Sequence, residues 1–298
     1  MNKKINIIKS LIRNYTIETT PKVYKKADNL NNFINPDTHI YITYLPDEDP
    51  ANIIETAKKI KQNGFEPIPH LPARTIENYS ELEKYLGRLS EVSGVKKILI
   101  IGGSTNQKGD ISSSLQVLKT RLTEKYNYKE IGLAGHPEGS PDISNKELDY
   151  AIIEKNKFAR DTDAKLYFVT QFFFEARSFI SWEKHLTLLN NKIKIHAGLP
   201  GPANLKTLIT YAKSCGIGNS IKFLTKQALN ISKIASTKTP KKLIYDLAEY
   251  KMINEYSNLE KIHFYPFGGL KKTSLWANTL INSELLLNEK NDININDF

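Results

Sequence analysis

The sequence predicts an α/β protein, a single-domain (β/α)8 barrel of the TIM type with accessory helices. Eight short apolar runs recur along the 298 residues, and seven of them are followed by a stretch able to form a helix. Eight strand–helix units within about 250 residues can close such a barrel, whose active site lies at the carboxyl ends of the strands. The runs are Tyr15–Thr19, His39–Leu45, Glu66–His70, Lys97–Ile101, Glu130–Ala134, Leu166–Phe172, Lys192–Ala197 and Lys261–Tyr265.

The first four runs end in polar or glycine-rich stretches. Strand one carries Glu18 at its end, strand two ends at Thr43, and strand three ends at His70 between prolines. Strand four is a continuous β-branched run, which is typical of a strand buried in a parallel sheet. It leads into Gly102–Ser104, whose glycines would let the backbone approach a ligand closely.

The last four runs end in a similar way. Strand five continues into His136–Asp142, a rigid polar turn bounded by glycine and proline. Strand six ends near Gln171, and an amide in so apolar a run needs a hydrogen-bond partner. Strand seven enters Gly198–Pro202, a tight turn that would also suit the apolar wall of a pocket. Strand eight ends before Gly268 and Gly269.

Helical periodicity predicts the connecting segments. Apolar residues recur at helical spacing in Pro50–Asn63, and Gly64 follows as a typical helix stop. Residues 217–260 have the pattern of helices with no clear strand, an insertion within the domain, and 288–298 form a polar tail that we expect to be frayed. The other predicted helices are 22–35 (a polar helix or lid), Tyr79–Val92, Ser113–Lys125, Asn145–Ala159, Phe179–Leu189, Leu205–Cys215 and Ser274–Leu287.

Composition argues against several classes of protein. The net charge is +10, but it is spread along the chain, so we predict no nucleic-acid partner, although a basic surface can attract an anionic substrate. The single cysteine, Cys215, rules out an intrachain disulfide, and no histidine pair has metal-ligand spacing, so we predict a cytoplasmic protein without a metal. No apolar stretch approaches the roughly 20 residues that cross a membrane, and the first residues lack the pattern of a secretory signal.

Three polar residues at strand ends are each open to two interpretations. Glu18 would act as a general acid if burial favoured its protonated form, or it is a solvated partner of Lys22. His70 would bind a heterocycle or phosphate, or it is structural. Gln171 would contact the edge of a planar heterocycle, or its amide is satisfied by neighbouring backbone.

Four segments carry a resemblance to a known family. They are GHPEGSPD at 135–142, VTQFFFEARSF at 169–179, IHAGLPGPANLKTLITYA at 195–212 and IHFYPFGG at 262–269. Together they resemble methylenetetrahydrofolate reductase, a family of flavin-dependent (β/α)8 barrels. In that family the fifth strand ends in a similar Pro-Glu turn and the sixth carries a Thr-Gln-Phe-Phe-type run. The resemblance spans Glu18 to about Trp276.

The resemblance implies a reaction of one-carbon metabolism. NADH or NADPH first reduces bound FAD, and the resemblance does not choose between these two donors. Methylenetetrahydrofolate then replaces the nicotinamide and accepts hydride, which gives methyltetrahydrofolate. Glu18 matches the acid that helps to open the folate ring, and Gln171 and Tyr211 match folate contacts. Family members are often oligomers, so a homo-oligomer stays open. The cofactor-site positions that the resemblance implies are Thr43, His70, Gly103, Ser104, His136, Ser140 and Lys157.

The chain also departs from the family pattern. Gly102-Gly103-Ser104 stands where many members have Arg-Gly-Asp, Ser140 replaces a common His, and Gly269 stands where an Arg is often found. An acid expected close to the flavin is therefore missing, which would change the flavin's redox potential or weaken its binding. Two alternatives stay open: a folate-dependent methyltransferase or one-carbon-handling barrel with a weakened or absent flavin site, and a non-catalytic binding module. The direction of the reaction stays open as well.

Overall fold

A closed barrel of eight parallel strands forms the centre of the molecule, as a computed structural model shows. The structure describes residues 2–103, 106–228, 237–287 and 293–294. The described strands are β1 (Thr16–Thr19), β2 (His39–Ile42), β3 (Glu66–Pro72), β4 (Lys97–Ile101), β5 (Glu130–Gly135), β6 (Lys165–Thr170), β7 (Lys194–Pro200), β8 (Ala203–Asn204), β9 (Thr237–Lys238), β10 (Leu259–Tyr265), β11 (Leu286–Leu287) and β12 (Ile293–Asn294). Around the barrel the strand order is β1-β10-β7-β6-β5-β4-β3-β2. The predicted (β/α)8 architecture is confirmed.

Helices surround the barrel. They are α1 (Asn2–Arg13), α2 (Pro21–Lys26), α3 (Pro50–Gln62), α4 (Tyr79–Ser93), α5 (Ser114–Lys119), α6 (Leu122–Lys125), α7 (Asn145–Arg160), α8 (Ala176–Leu188), α9 (Leu205–Ser214), α10 (Gly218–Ala228), α11 (Lys241–Ile253) and α12 (Leu270–Asn282). Two 3-10 turns, Leu30–Asn32 and Ala73–Thr75, complete the regular elements. None of the described helices has the length and apolar character needed to span a bilayer.

Several predicted boundaries were wrong for local reasons. No helix was predicted before the first strand, yet α1 buries Ile8, Leu11 and Ile12 in the core. The helix predicted over 113–125 is divided at Arg121, which has a left-handed φ of 56° and separates α5 from α6. The segment 22–35 contains the short α2 and a 3-10 turn in place of one helix.

The segment 217–260 is mostly helical but also contains strand residues, which corrects the prediction. It includes α10 and α11, but β9 pairs with β8 in a small antiparallel ribbon, and β10 already begins at Leu259. The helix predicted over 274–287 ends at Asn282 and is followed by β11. Residues 229–236 of the predicted insertion and 288–292 and 295–298 of the predicted tail lie outside the described residues. The single-domain organisation stays a prediction.

Strand alternation divides the apolar residues between two cores. Successive side chains of a strand point to opposite faces. Ile40 and Ile42 of β2 therefore join the large core between strands and helices, whereas Tyr41 joins a small cluster in the lumen. The Tyr41 hydroxyl donates to the Tyr167 hydroxyl at 3.1 Å across the lumen.

Ion pairs occupy the amino ends of the strands, at the mouth opposite to the predicted active site. Lys97 pairs with Glu130 at 2.8 Å, and Glu260 accepts hydrogen bonds from Lys165 and His196 at 3.0 Å each. The hydrogen bond from His196 lowers the pKa of Glu260, which therefore stays ionised. The charged side chains at this mouth pair with one another, and in (β/α)8 barrels the active site lies at the opposite mouth, at the carboxyl ends.

Candidate active site

A wide cleft of about 1890 Å³ opens at the carboxyl ends of the strands. Eight of the ten residues predicted for the site line it together, as the TIM-barrel prediction requires. These eight are Glu18, Thr43, His70, Gly103, His136, Ser140, Gln171 and Tyr211. Ser104 lies outside the described residues, and Lys157 does not line the cleft.

Glu18 lies on β1 against two histidines. Its side chain is 15 % exposed, and its Oε2 atom lies 3.6 Å from Nε2 of His263 and 4.0 Å from Nε2 of His70. Burial lowers the pKa of His70 to about 4, so this imidazole is neutral near pH 7. The predicted Lys22 partnership is absent among the described ion pairs, so the carboxyl group is available to a ligand in the cleft.

Gln171 follows directly after β6 and is held by the backbone at both ends. Its amide nitrogen Nε2 donates to the carbonyl of Cys215 at 3.3 Å, and its backbone N–H donates to Gly135 at 2.8 Å. Within the described residues its Oε1 atom accepts no hydrogen bond. Half of the amide is thus satisfied by backbone, and the oxygen is available to a donor on a ligand.

Tyr211 ends a stack of three aromatic rings at the edge of the cleft. Its ring is parallel to that of Phe267, with centroids 4.0 Å apart, and Phe267 stacks on Tyr265 at 5.7 Å. The Tyr265 hydroxyl donates to the carbonyl of Thr170 at 2.9 Å, which fixes the stack to β6. Tyr211 is 42 % exposed, so a flat ligand can continue the stack.

The turn after β5 is tied to helix α10. Glu138 accepts hydrogen bonds from the backbone N–H and the hydroxyl of Ser220, at 3.0 and 2.6 Å. Gly139 has a φ of +78°, which an L-residue rarely adopts, so this turn needs glycine. Glu138 belongs to the predicted polar turn but was given no role there; its two hydrogen bonds from Ser220 anchor the turn to α10.

Lys155 of α7 lines the cleft, whereas the predicted Lys157 of the same helix does not. Lys155 is 5 % exposed, has no carboxylate partner among the described residues, and lies over the ring of Phe168 at 5.6 Å. Burial lowers its pKa from 10.5 to about 8. Lys157 is exposed and pairs with Glu154 at 2.6 Å. Residues two apart on a helix do not share a face, so only one of these lysines of α7 can face the barrel.

His136 lies beside Lys155. Burial lowers the pKa of His136 to about 4, and the charge of Lys155 acts in the same direction. At neutral pH this side of the cleft therefore combines a neutral imidazole with one buried cation. A buried cation without a carboxylate is costly unless it meets an anion, so this pair suits a phosphate-bearing ligand.

The glycine loop after β4 is held open by Arg74. The Arg74 backbone N–H donates to the Gly102 carbonyl at 2.9 Å, and its guanidinium donates to the Gly103 carbonyl at 3.2 Å. A Cβ on Gly102 would meet nothing within 4 Å, whereas Gly103 has a φ of +93° and a Cβ there would lie 3.1 Å from Pro72. This open backbone and the cation of Lys155 fit a flavin dinucleotide, although no acid stands at 102–104.

The family model that matches this chain is that of methylenetetrahydrofolate reductase, over residues 7–274. The chain belongs to the methylenetetrahydrofolate reductase family. The matched range contains all eight barrel strands and every cleft residue named above. Within the part of the chain that the structure describes, no group of three or more His, Cys, Asp or Glu residues could hold a metal ion.

Two curated relatives share about half of the chain. The chain is 28 % identical over 165 residues to the 5,10-methylenetetrahydrofolate reductase of Buchnera aphidicola subsp. Baizongia pistaciae (strain Bp), covering 54 % of this chain and 52 % of that protein. It is 24 % identical over 161 residues to the protein of the same name from Pectobacterium carotovorum subsp. carotovorum, covering 54 % and 51 %. The chain thus spans about half the length of the curated relatives it matches.

Two residues near Glu18 were missed from the sequence. Thr16 and His263 lie beneath it, with Thr16 Oγ1 at 2.8 Å from Nδ1 of His263. Strand alternation offers a signal for both, because Thr16 shares a face of β1 with Glu18, and His263 shares a face of β10 with Tyr265. Lys155 had a signal too, since it follows the buried Ile152 at helical spacing.

Proposed function

We propose that this protein reduces 5,10-methylenetetrahydrofolate to 5-methyltetrahydrofolate, with NADH or NADPH as electron donor and FAD as cofactor. One observation carries the proposal: a carboxyl group, an amide oxygen and a half-exposed aromatic ring, from Glu18, Gln171 and Tyr211, open on one cleft. Family membership and the printed names of the two relatives support the same substrate.

Glu18 is proposed as the general acid. Opening the five-membered folate ring breaks a carbon–nitrogen bond, and the nitrogen that leaves needs a proton. A carboxylic acid on a rigid strand, 15 % exposed and in contact with a neutral imidazole, is placed to give that proton. The iminium carbon that results is the acceptor of hydride.

Gln171 and Tyr211 are proposed to hold the folate. The amide oxygen of Gln171 can accept from the N–H groups at the edge of a pterin, while its nitrogen stays bound to Cys215. Tyr211 would stack on a planar part of the folate or of the nicotinamide, because its other face already rests on Phe267. Both contacts orient the substrate relative to Glu18.

FAD is proposed to lie along the other side of the cleft. The residues that would hold it are Thr43, His70, Gly103, His136 and Ser140, with Lys155 in place of Lys157 and with Ser104 outside the described residues. The chemistry that FAD supplies when bound is hydride transfer, first from NAD(P)H and then to the folate, in a ping-pong order. The protein supplies orientation, an apolar surround and the proton.

Three further properties are proposed from composition and from the family resemblance. The single cysteine suits a cytoplasmic location, and the net charge of +10 would favour capture of anionic folate and dinucleotides. Assembly into a homo-oligomer is proposed from the family resemblance. The absence of a nucleic-acid partner stays a prediction.

An absorption spectrum tests the cofactor directly. Purified protein should show flavin absorbance, and NADH or NADPH should bleach it under anaerobic conditions. A colourless protein that gains no activity with added FAD contradicts the proposal; folate binding by that protein would favour a methyltransferase or one-carbon-handling barrel. Salt-sensitive nucleic-acid binding without folate or flavin affinity would indicate a binding module.

Substitution of Glu18 tests the acid. Glu18→Gln should slow the folate half-reaction by a factor of about 10² to 10⁴, because a general acid contributes that much. Reduction of the flavin by NAD(P)H should be spared, which serves as the control within the same preparation. Two unimpaired half-reactions in Glu18→Gln would show that another group donates the proton.

A further inference from the structure

His263 lies directly beneath the proposed acid. It is fully buried on β10 and does not line the cleft. The parallel pairing of β1 with β10 places Thr16 opposite His263, and the Thr16 hydroxyl lies 2.8 Å from Nδ1 of the ring. Glu18 follows Thr16 by two residues on the same face of β1, so its Oε2 atom comes within 3.6 Å of Nε2 on the far side of the ring.

The Nε2 atom of His263 is enclosed and has no hydrogen-bond partner among the described residues. Buried polar atoms without a partner are rare in folded proteins and call for an explanation. Two tyrosines pack against the ring, Tyr41 at 4.6 Å and Tyr265 at 4.8 Å between centroids, but their hydroxyls already donate to Tyr167 and to Thr170. Glu18 is therefore the group within reach of Nε2.

Several other titratable groups face this pair and could affect its protonation. They are His70 on β3, Tyr41 on β2, Tyr265 on β10, His196 on β7, and Cys215 after α9. His70 lies 4.0 Å from the same oxygen, Oε2, as His263 does. Both imidazoles thus approach Oε2, which leaves Oε1 as the oxygen that can give a proton to a substrate.

We propose that His263, held by Thr16, is a positioning residue that orients the Glu18 carboxyl group and sets the pH range in which it acts as the acid. The Thr16 hydroxyl donates to Nδ1, so the ring carries its proton on Nε2 and donates to Oε2 of Glu18. A movement of about 0.6 Å brings the two atoms to an ordinary hydrogen-bond length of about 3.0 Å. The bond stabilises the carboxylate that remains after proton transfer. This proposal rests on the acid role proposed for Glu18.

The proposal predicts a sign for the effect of each substitution. Removal of a hydrogen bond to the carboxylate disfavours the charged form. Thr16→Val removes the hydroxyl that fixes the tautomer, and His263→Leu removes the ring nitrogens. In both variants the pH midpoint of the folate half-reaction should rise, by about one unit for the loss of one charge-assisted bond. Thr16→Ser keeps the hydroxyl and His263→Gln keeps a donor, so their midpoints should stay near that of the natural protein.

Stopped-flow measurement of the folate half-reaction across pH, with pre-reduced holoenzyme, gives these midpoints. The NAD(P)H half-reaction in each variant reports whether the cleft is intact. His39→Gln is the matched control, because His39 is a partly buried histidine at the amino end of β2, beside Lys97, and lies outside the cleft. It should leave the midpoint unchanged. If His263→Leu does not fold, Thr16→Val alone decides the outcome.

A second measurement does not depend on activity. Nitrogen-15 NMR of the histidine rings should show the His263 proton on Nε2 in the natural protein and in Thr16→Ser, and a change of tautomer in Thr16→Val. An unchanged tautomer and midpoint in Thr16→Val, with Glu18→Gln still inactive towards folate, would overturn this inference alone. Full folate activity in Glu18→Gln would instead overturn the acid role on which it rests.

Discussion

Replacement of Lys155 by methionine should reveal the cost of a buried charge. Lys155 is 5 % exposed and has no carboxylate partner among the described residues, and burial lowers its pKa from 10.5 to about 8. A shift of one pKa unit corresponds to about 1.4 kcal/mol, so the charged ammonium destabilises the cofactor-free protein by about 3 kcal/mol. Methionine has nearly the same shape and keeps the contact with the Phe168 ring.

The pH dependence of this cost has a definite sign. The lysine binds its proton less tightly in the folded state, so the folded protein releases that proton at a lower pH than the unfolded chain does. Stability therefore rises with pH between about 8 and 10.5, where the unfolded chain binds more protons. Below pH 8 the full cost is present. Lys155→Met should remove this rise and should stabilise the cofactor-free protein at neutral pH by up to about 3 kcal/mol.

Urea unfolding of the flavin-free protein at a series of pH values measures the effect as a difference between natural protein and variant. Lys157→Met is the matched control, because Lys157 lies two residues away, is exposed and pairs with Glu154, and exposed ion pairs contribute little to stability. In a second arm, FAD or pyrophosphate should stabilise the natural protein and Lys157→Met more than Lys155→Met. Identical pH curves for both variants, or a loss of FAD binding only in Lys157→Met, would refute the assignment of the buried cation.

Three further predictions follow from the cleft. Gln171→Leu should raise the KM for folate by a factor of about 10 or more, because a hydrogen bond to the pterin is lost, while flavin reduction by NAD(P)H stays normal in a stopped-flow assay. Tyr211→Ala should weaken folate binding by about 0.5–1.5 kcal/mol, because a stacking contact is lost, and Tyr211→Phe should bind folate as the natural protein does. Titration of the oxidised enzyme measures these affinities, and an unchanged affinity in Tyr211→Ala would show that Tyr211 does not contact the folate. Glu138→Ala should lower the free energy of unfolding by about 1.5–3 kcal/mol, since Ser220 loses two hydrogen bonds to a carboxylate, and urea unfolding that matches the natural protein would contradict the anchoring role.

The two mouths of the barrel use charge differently. At the amino ends, Lys97, Glu130, Lys165 and Glu260 neutralise one another over distances of 2.8–3.0 Å. At the carboxyl ends, Lys155 has no carboxylate partner among the described residues, and two imidazole nitrogens beside Glu18 have no hydrogen-bond partner there. Groups left unsatisfied in this way store free energy that a ligand can release, which is why they mark functional sites.

Most of the barrel could be predicted because its strands carry local signals. Every strand of the barrel overlaps a predicted apolar run, since a strand buried in a parallel sheet must be apolar along its length. Helix ends were predicted where a glycine stops the helix, as Gly64 does with its φ of +86°. The division at Arg121 was not, because a left-handed arginine has no sequence signature.

Only those site residues that lie at the ends of strands could be predicted from the sequence. Glu18, His70 and Gln171 end apolar strands, and the carboxyl ends of parallel strands meet at one mouth of a barrel. The choice between Lys155 and Lys157 needed the structure, because a sequence match to a family position does not show which face of α7 packs against the barrel.

The sequence by itself determined the number of barrel strands, their direction and the chemical groups at their ends, because each of these depends on residues close together in the chain. Only the tertiary structure decided which groups meet across the lumen. Thr16 and His263 are 247 residues apart, and they come within 2.8 Å because closing the barrel pairs its first strand with its last. Closure is a property of all eight strands together, so no local pattern could place an imidazole beneath Glu18.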